Sequence, residues 1–245
     1  MKPRRLDVEL VERGLAESRE QAQRLIFAGE VWVEGQRWDK ASKLCAASVA
    51  IEVRGGDRYV SRGGHKLEGA LTGFHLNVTG WRCLDLGAST GGFTDCLLQH
   101  GAREVVAVDV GHGQLHWRLR QDKRVVVYEG VNARDLSGLT AEHAKTFDLI
   151  VADVSFISLR KVLPPAFDLL SSGGRVCALI KPQFEAGRAE VGKGGIVRDA
   201  QVRMRVVRDL CQWAEDYPVT TAGTIPSPLP GRDGNEEFLW LLQKR

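Results

Sequence analysis

A chain of 245 residues with 43% hydrophobic and 27% charged side chains has room for one medium and one small globular domain, and its formal net charge of +3 permits a nucleic-acid partner without requiring one. Five cysteines (Cys45, Cys83, Cys96, Cys177, Cys211) form no C-x-x-C pair and leave an odd count, which argues against a disulfide framework or a metal site and for a reducing cytoplasm. No apolar signal core follows Met1–Arg5, and no uninterrupted apolar run nears the roughly eighteen residues that span a bilayer, so neither secretion nor membrane insertion is expected.

From Arg5 onward, Leu6, Val8, Leu10, Val11 and Leu15 suggest a short helix ended near Gly14. Ser18 reads as the N-cap of a second helix carrying Ala22, Leu25 and Ile26, which Gly29 stops. Val31–Val33, then Glu34-Gly35, then Gln36–Trp38 read as strand, turn and strand. The polar, glycine-bearing stretch Arg54–Arg58 is a break, which divides the chain into residues 1–58 and 59–245. After it, Tyr59–Leu67 reads as a loop offering Arg62, His65 and Lys66, cations suited to guiding RNA or polarising a hydroxyl; for His65 a structural role stays open. Strands then alternate with helices: Cys83–Leu86, Val105–Asp109, Val125–Tyr128, Leu149–Asp153, Val176–Ile180, Val219–Ile225 and Phe238–Leu242. Such alternation gives an α/β domain with a mostly parallel, Rossmann-like sheet covered on both faces.

The first of these strands runs into Asp85-Leu86-Gly87-Ala88-Ser89-Thr90-Gly91-Gly92-Phe93-Thr94-Asp95, and the second ends on Asp109. Glycines at a strand-to-helix turn let backbone close around a ligand, and an acidic side chain about twenty residues on can accept both hydroxyls of a ribose. An adenosine-containing cofactor follows. The dinucleotide spacing G-x-G-x-x-G is not met, because Ser89 stands where its second glycine would be, and no Gly-Lys-Ser/Thr marks a P-loop. S-adenosylmethionine (SAM) needs no phosphate cradle, and Asp85 and Asp109 would place negative charge on either side of its sulfonium. An ordinary tight turn in an α/β core is the other reading.

Three later segments put polar groups at strand ends, where open α/β sheets carry their chemistry. Leu149–Ala152 runs into Asp153; Ala178–Ile180 ends on Lys181, held at the tip by Pro182; and Gly234–Glu237 brings a carboxylate to the start of the last strand. With Lys66 they form a Lys-Asp-Lys-Glu set, whose last member is Glu236 or Glu237.

The N-terminal unit resembles an S4 RNA-binding domain, on Arg5-Leu6-Asp7, Gly14-Leu15-Ala16, Ser18-Arg19, Ala22, Leu25-Ile26, Gly29–Val33 and Glu34-Gly35. That resemblance implies a small α+β fold and makes Arg4, Arg5, Arg19, Arg24 and Lys43 candidate phosphate contacts. Residues 1–60 hold eleven Lys/Arg against ten Asp/Glu, so any RNA-facing patch must come from placement. Nearly end to end, the chain resembles the TlyA family of RNA 2′-O-methyltransferases, an S4 domain joined to an FtsJ-like catalytic domain. The most specific stretches are Val60–Leu67, Asp85–Asp95, Asp153–Leu159 and Ile180–Glu185. The resemblance implies a SAM-dependent enzyme that methylates the ribose 2′-hydroxyl of a cytidine in ribosomal RNA, with Lys66, Asp153, Lys181 and Glu237 as the catalytic tetrad. The substrate would be 23S and also 16S RNA in some members, and the short N-terminus leans to the large subunit. Around SAM the expected contacts are Asp85, Gly87, Ala88, Ser89, Thr90, Gly91, Gly92, Phe93 and Asp153 along the turn, Asp109 on the ribose, and Asn132–Asp135 beside the adenine.

A ribose hydroxyl is a poor nucleophile, and a lysine of ordinary pKa, near about 10.4, takes its proton poorly. Burial and the cationic Lys66 are expected to lower the Lys181 pKa and so leave it a neutral amine free to take the proton, with Asp153 and Glu237 orienting the amines and no metal required. A base methylase, a non-catalytic RNA-binding or ribosome-assembly factor, and a haemolysin-like membrane-active protein are the rival readings.

Overall fold

In the computed structural model the chain divides into two compact units, Met1–Arg58 and Tyr59–Arg245. Residues 3–53, 58–142, 146–231 and 233–245 are described. Most of the expected Arg54–Arg58 break lies outside them.

The first unit opens with β1 (Arg4–Arg5), α1 (Leu6–Glu12) and α2 (Arg19–Phe27). Four more short strands follow: β2 (Val31–Val33), β3 (Gln36–Arg37), β4 (Leu44–Cys45) and β5 (Ile51–Val53). Leu6 and Leu10 on α1, and Ala22 and Ile26 on α2, are four apart and therefore share a face; they bury against Val31, Val33 and Cys45. Ser18 caps α2 through the Gln21 amide at 3.2 Å. The helix closes where Gly29 N–H donates to the Ile26 carbonyl and Glu30 N–H to that of Leu25, the paired bonds of a Schellman ending. Glu34 and Gly35 both have positive φ (49° and 74°), as a two-residue type I′ hairpin between β2 and β3 requires. Strands β1, β4 and β5 escape the sequence reading because two or three residues are too few to show a period and no Glu34-Gly35-type turn marks them as it marks β2 and β3.

The second unit begins with α3 (Gly63–Gly73), where the sequence suggests a loop through Leu67. Leu67, Ala70 and Leu71 recur at helical spacing and are buried, and the leading Gly63-Gly64 pair masks that signal. Then come β6 (Arg82–Leu86), α4 (Gly92–Gln99), β7 (Glu104–Asp109), α5 (Trp117–Arg120), β8 (Val125–Glu129) and α6 (Ser137–Glu142). β9 (Phe147–Ala152), α7 (Leu159–Phe167), β10 (Leu170–Ile180), α8 (Pro182–Glu185), α9 (Ala200–Ala214), β11 (Val219–Pro226) and β12 (Phe238–Lys244) complete it.

These seven strands form one sheet in the order β11-β12-β10-β9-β6-β7-β8, in which only β12 runs against the rest. Alternation along the strands sends Leu84, Val106, Ile150 and Trp240 to one face, against Val162, Leu163 and Leu210 of α7 and α9. Cys83, Val105, Leu149 and Leu239 go to the other, against Leu67, Ala70, Cys96 and Leu97 of α3 and α4. A sheet buried on both faces gives its central strands near-continuous apolar runs and concentrates polar groups towards their ends, Asp85 within β6 being an exception. The order reverses between β6 and β9, and the crevice beyond that switch point, at the carboxyl ends, is where such sheets bind ligands.

Candidate active site

Each candidate side chain owes its place to a strand or helix end. Asp153 follows β9 and its backbone N–H donates to the Leu86 carbonyl at 3.0 Å, so it stands beside the turn leaving β6. That turn can approach because residue 87 is glycine: a Cβ there would lie 2.7 Å from the Asp153 carbonyl oxygen. Pro182 ends β10 and starts α8, fixing Lys181 between them. β12 is antiparallel to β10 with Ile180 opposite Phe238, so a residue just before β12 reaches the edge at which β10 ends. Lys66 comes from the first turn of α3. Gly92 lets that helix close on α4, since a Cβ there would meet the Ser61 hydroxyl at 2.3 Å and the Gly64 amide nitrogen at 2.9 Å.

The four side chains arrive as two ion pairs. Lys66 Nζ lies 2.5 Å from Glu237 Oε2, and Lys181 Nζ lies 2.6 Å from Asp153 Oδ1 and donates to Ser155 Oγ at 2.8 Å. Lys66, Lys181 and Glu237 are buried. Burial pushes the Glu237 carboxyl up from its ordinary range, while the hydrogen bond and charge of Lys66, and then the charge of Lys181, pull it back. Both pairs thus act on one another. Glu236, by contrast, is exposed and pairs with Arg203 at 3.0 Å. Buried Asn235 braces the approach to β12, accepting from Val197 N–H at 3.0 Å and donating to the Gly195 carbonyl at 2.9 Å.

A cavity of about 200 Å³ holds Lys66, Lys181, Asp153 and Ser155 against Gly87, Ala88, Ser89, Thr90, Gly92 and Phe93. It shares Gly87, Ser89, Asp153 and Ser155 with a larger cleft of about 1100 Å³, whose walls include Val108, Asp109, Val110, Gln114, Val131, Asn132, Ala133, Val154 and Ile157. Asp109 stands at the tip of β7, its carboxylate accepting from Ser89 N–H and Gly111 N–H, both at 2.7 Å. These bonds orient the group and leave lone pairs for the cleft. At the mouth Phe156 is 92% exposed, with φ at 63°, and its ring lies 5.2 Å from that of Phe184.

Three expected cofactor contacts are placed elsewhere. Asp85 is wholly buried beneath the turn and accepts the Thr94 hydroxyl at 2.7 Å, and desolvation pushes its carboxyl up to about 7. It lines neither cavity and puts no charge at their walls. Gly91 also lines neither; it is the left-handed residue preceding α4. Asp135 turns back to accept from Ser137 N–H and Oγ, at the start of α6. Arg62 donates to the Pro230 carbonyl at 3.4 Å, and His65 packs edge-on against Tyr59 in a separate groove with Glu68, Pro228 and Leu229, so neither lines the cleft. Ser155, Val131 and Ala133 were legible as neighbours of residues already singled out; Gln114 carries no sequence signal.

In the N-terminal unit Arg4 pairs with Glu12 at 3.2 Å, and Lys43 lies over the Trp38 ring at 3.6 Å. Arg24 is exposed on α2, while Arg5 and Arg19 both bond Asp7. Among the described residues no group of histidine, cysteine and carboxylate side chains is arranged to hold a metal, and no helix is long and apolar enough to cross a membrane.

A doubly covered sheet with its one reversed strand beside β10, a glycine-bearing first turn and an oriented acid ending the second strand define an α/β methyltransferase fold. The FtsJ-like methyltransferase model matches residues 59–244 and the S4 domain model residues 4–50. The chain belongs to the FtsJ-like methyltransferase family and, within it, to the TlyA group that carries an S4 domain in front. The 16S/23S rRNA (cytidine-2′-O)-methyltransferase TlyA of Mycobacterium tuberculosis is 51% identical over 241 residues, 97% of this chain and 89% of that protein. Hemolysin A of Brachyspira hyodysenteriae is 43% identical over 96% of this chain and 98% of its own length. A solved structure described as a candidate hemolysin from Streptococcus thermophilus, 44% identical, superposes with a TM-score of 0.75 over 100% of this chain and 89% of that one.

Proposed function

We propose that this protein transfers a methyl group from SAM to the ribose 2′-hydroxyl of a cytidine in ribosomal RNA. The carrying observation is the pair of lysine–carboxylate contacts, buried Lys66–Glu237 and half-buried Lys181–Asp153, at the inner end of a cleft that presents Asp109. The donor set fits the cofactor: one oriented carboxylate suits a ribose diol, and the apolar walls Val108, Val131, Ala133 and Ile157 suit an adenine. The Gly87–Gly92 turn carries no lysine or arginine for a phosphate. SAM, when bound there, supplies an electrophilic methyl group on a sulfonium.

The residues of the chain prepare the hydroxyl. Acting from its neutral amine form, Lys181 accepts the hydroxyl proton as the oxygen takes the methyl group, and Asp153, 2.6 Å away, stabilises the ammonium that results. The second pair, Lys66 with Glu237, adds a fixed dipole in a largely buried site, and the Ser155 hydroxyl holds the Lys181 amine in place. Positioning supplies much of the remaining rate. Phe156 and Phe184 offer ring faces at the mouth on which a base drawn out of its stack can lie. An RNA substrate of this kind places the protein with ribosomes, in the cytoplasm, and the named 16S/23S relative makes both subunits substrates to assay.

The test is to incubate ribosomal subunits with labelled SAM and map the methylated nucleotide by mass spectrometry. Lys181→Ala is expected to fold, to bind SAM and RNA, and to transfer no methyl group. Retention of more than about a tenth of wild-type turnover rules out general-base assistance, which is worth roughly 10²–10⁴-fold. Labelling of a base instead of a ribose removes the reading altogether.

A further inference from the structure

Asp7 is the most fully enclosed carboxylate among the described residues of the N-terminal unit, with no exposed surface, and three side chains from two elements converge on it. Arg5 of β1 binds it side-on, Nε to Oδ1 and Nη2 to Oδ2, both at 3.0 Å. Arg19 of α2 donates from Nε to Oδ2 at 2.9 Å, and Gln23, one turn further along α2, donates to the same oxygen at 2.8 Å. The arginines themselves stay half in solvent, their side chains 42% and 55% exposed.

The charge balance of this knot is uneven. Two guanidinium groups share a single carboxylate, so one positive charge is left over. Arg4 differs, because Glu12 and Glu9 both face it. Planar guanidinium geometry decides where the surplus points: a side-on bond uses the Nε–Nη2 edge of Arg5, and the Nη1 edge faces away with its donors. Arg19 spends only Nε on Asp7. Bonds to a carboxylate held at 0% exposure also restrict the rotamers of both arginines, so part of their ordering entropy is spent before any ligand arrives.

We infer that Asp7 is a positioning residue that holds Arg5 and Arg19 as a paired site for one phosphodiester of the RNA substrate. The ligand class follows from the surplus: one positive charge and several outward N–H donors match a singly charged, oxygen-rich group. The inference rests on the proposed RNA methylation and adds to it how the N-terminal unit makes its contact.

The sign of one substitution separates orientation from bulk charge. Asp7→Asn removes a negative charge near RNA, which by long-range electrostatics alone strengthens binding. If Asp7 orients the arginines, binding instead weakens, about tenfold or more, and the slope of log affinity against log salt becomes shallower by about one. Affinity for rRNA extracted from large ribosomal subunits is measured for the full chain, with circular dichroism checking the fold and SAM affinity expected unchanged. Arg5→Ala with Arg19→Ala gives the lower bound, and Arg5→Lys with Arg19→Lys keeps both charges and an intact Asp7 while removing the forked donors. Loss of binding in the lysine pair as well as in Asp7→Asn supports the inference, and should Asp7→Asn not fold, the lysine pair decides. Folded Asp7→Asn that binds as tightly as wild type, or tighter, overturns it. If the alanine pair weakens binding while Asp7→Asn does not, only the positioning role falls; if the wild type binds no rRNA, both readings fall.

Discussion

Asp85 and Asp109 sit on neighbouring strands of one sheet, and their surroundings give them opposite work. Asp109 ends its strand, is oriented by two backbone N–H groups and faces a cleft. Asp85 lies within its strand, wholly enclosed, with Oδ1 lacking a hydrogen-bond partner and only Thr94 on Oδ2. Desolvation, opposed by that Thr94 bond and assisted by the charges of Asp153 and Asp109, pushes its carboxyl up to about 7. An unfolded aspartate titrates near about 3.9. Between those values the folded chain keeps a proton that the unfolded chain has released, so this residue costs stability as pH rises through the window and the cost levels off above 7. Asp85→Asn keeps an acceptor for Thr94 and never ionises. The melting temperature of the variant should therefore gain on wild type from pH 5 to pH 8, by an amount on the order of a few kcal/mol in stability. A gap that stays constant with pH would mean Asp85 is already ionised in the acid range.

The catalytic geometry depends on how α3 meets α4. Lys66 is carried by α3, whose first turn lies against Gly92, so a single added methyl at 92 must displace backbone at Gly64 as well as the Ser61 hydroxyl. Gly92→Ala is expected to cost about 1–3 kcal/mol by overpacking. Activity should fall more than stability does, because a shift of about an ångström at Lys66 misplaces a catalytic group. Thermal melting beside single-turnover methylation checks this, and wild-type turnover in a destabilised variant would separate α3 from the chemistry. Most of the seven long strands were legible as apolar runs ended by a polar residue, as in β7, β9 and β10, whereas β6 runs into the glycine turn and β11 is threonine-rich. β10 starts six residues before the expected Val176, at Leu170, since Ser171–Gly174 breaks the pattern and shifts the register there. α3 stayed hidden behind two glycines, a cost that packing on α4 repays.

Across the chain, every residue proposed for cofactor and catalysis belongs to Tyr59–Arg245, which has its own two-faced core, and the proposed phosphate contacts on Arg4, Arg5, Arg19, Arg24 and Lys43 belong to Met1–Arg58. Removing residues 1–53 should leave SAM affinity intact in calorimetry. Methylation at low RNA concentration should drop far more than the isolated N-terminal contact would suggest, since tethered weak contacts multiply. Loss of SAM binding in the truncated protein would show the two units to be one folding entity.

The sequence by itself determined the sheet, the division near residue 58, the glycine-bearing turn and the strand-end residues, because hydrophobic period, breakers and chain order are local properties. It could not tell that Asp85 points inward, that Asp135 turns back onto Ser137, that Arg5 and Arg19 share one carboxylate, or which carboxylate each lysine takes. Those are decided by partners far apart in the chain, as with Lys66 and Glu237, 171 positions apart, and by burial, which sets the strength of a charge only once the surrounding elements have closed over it.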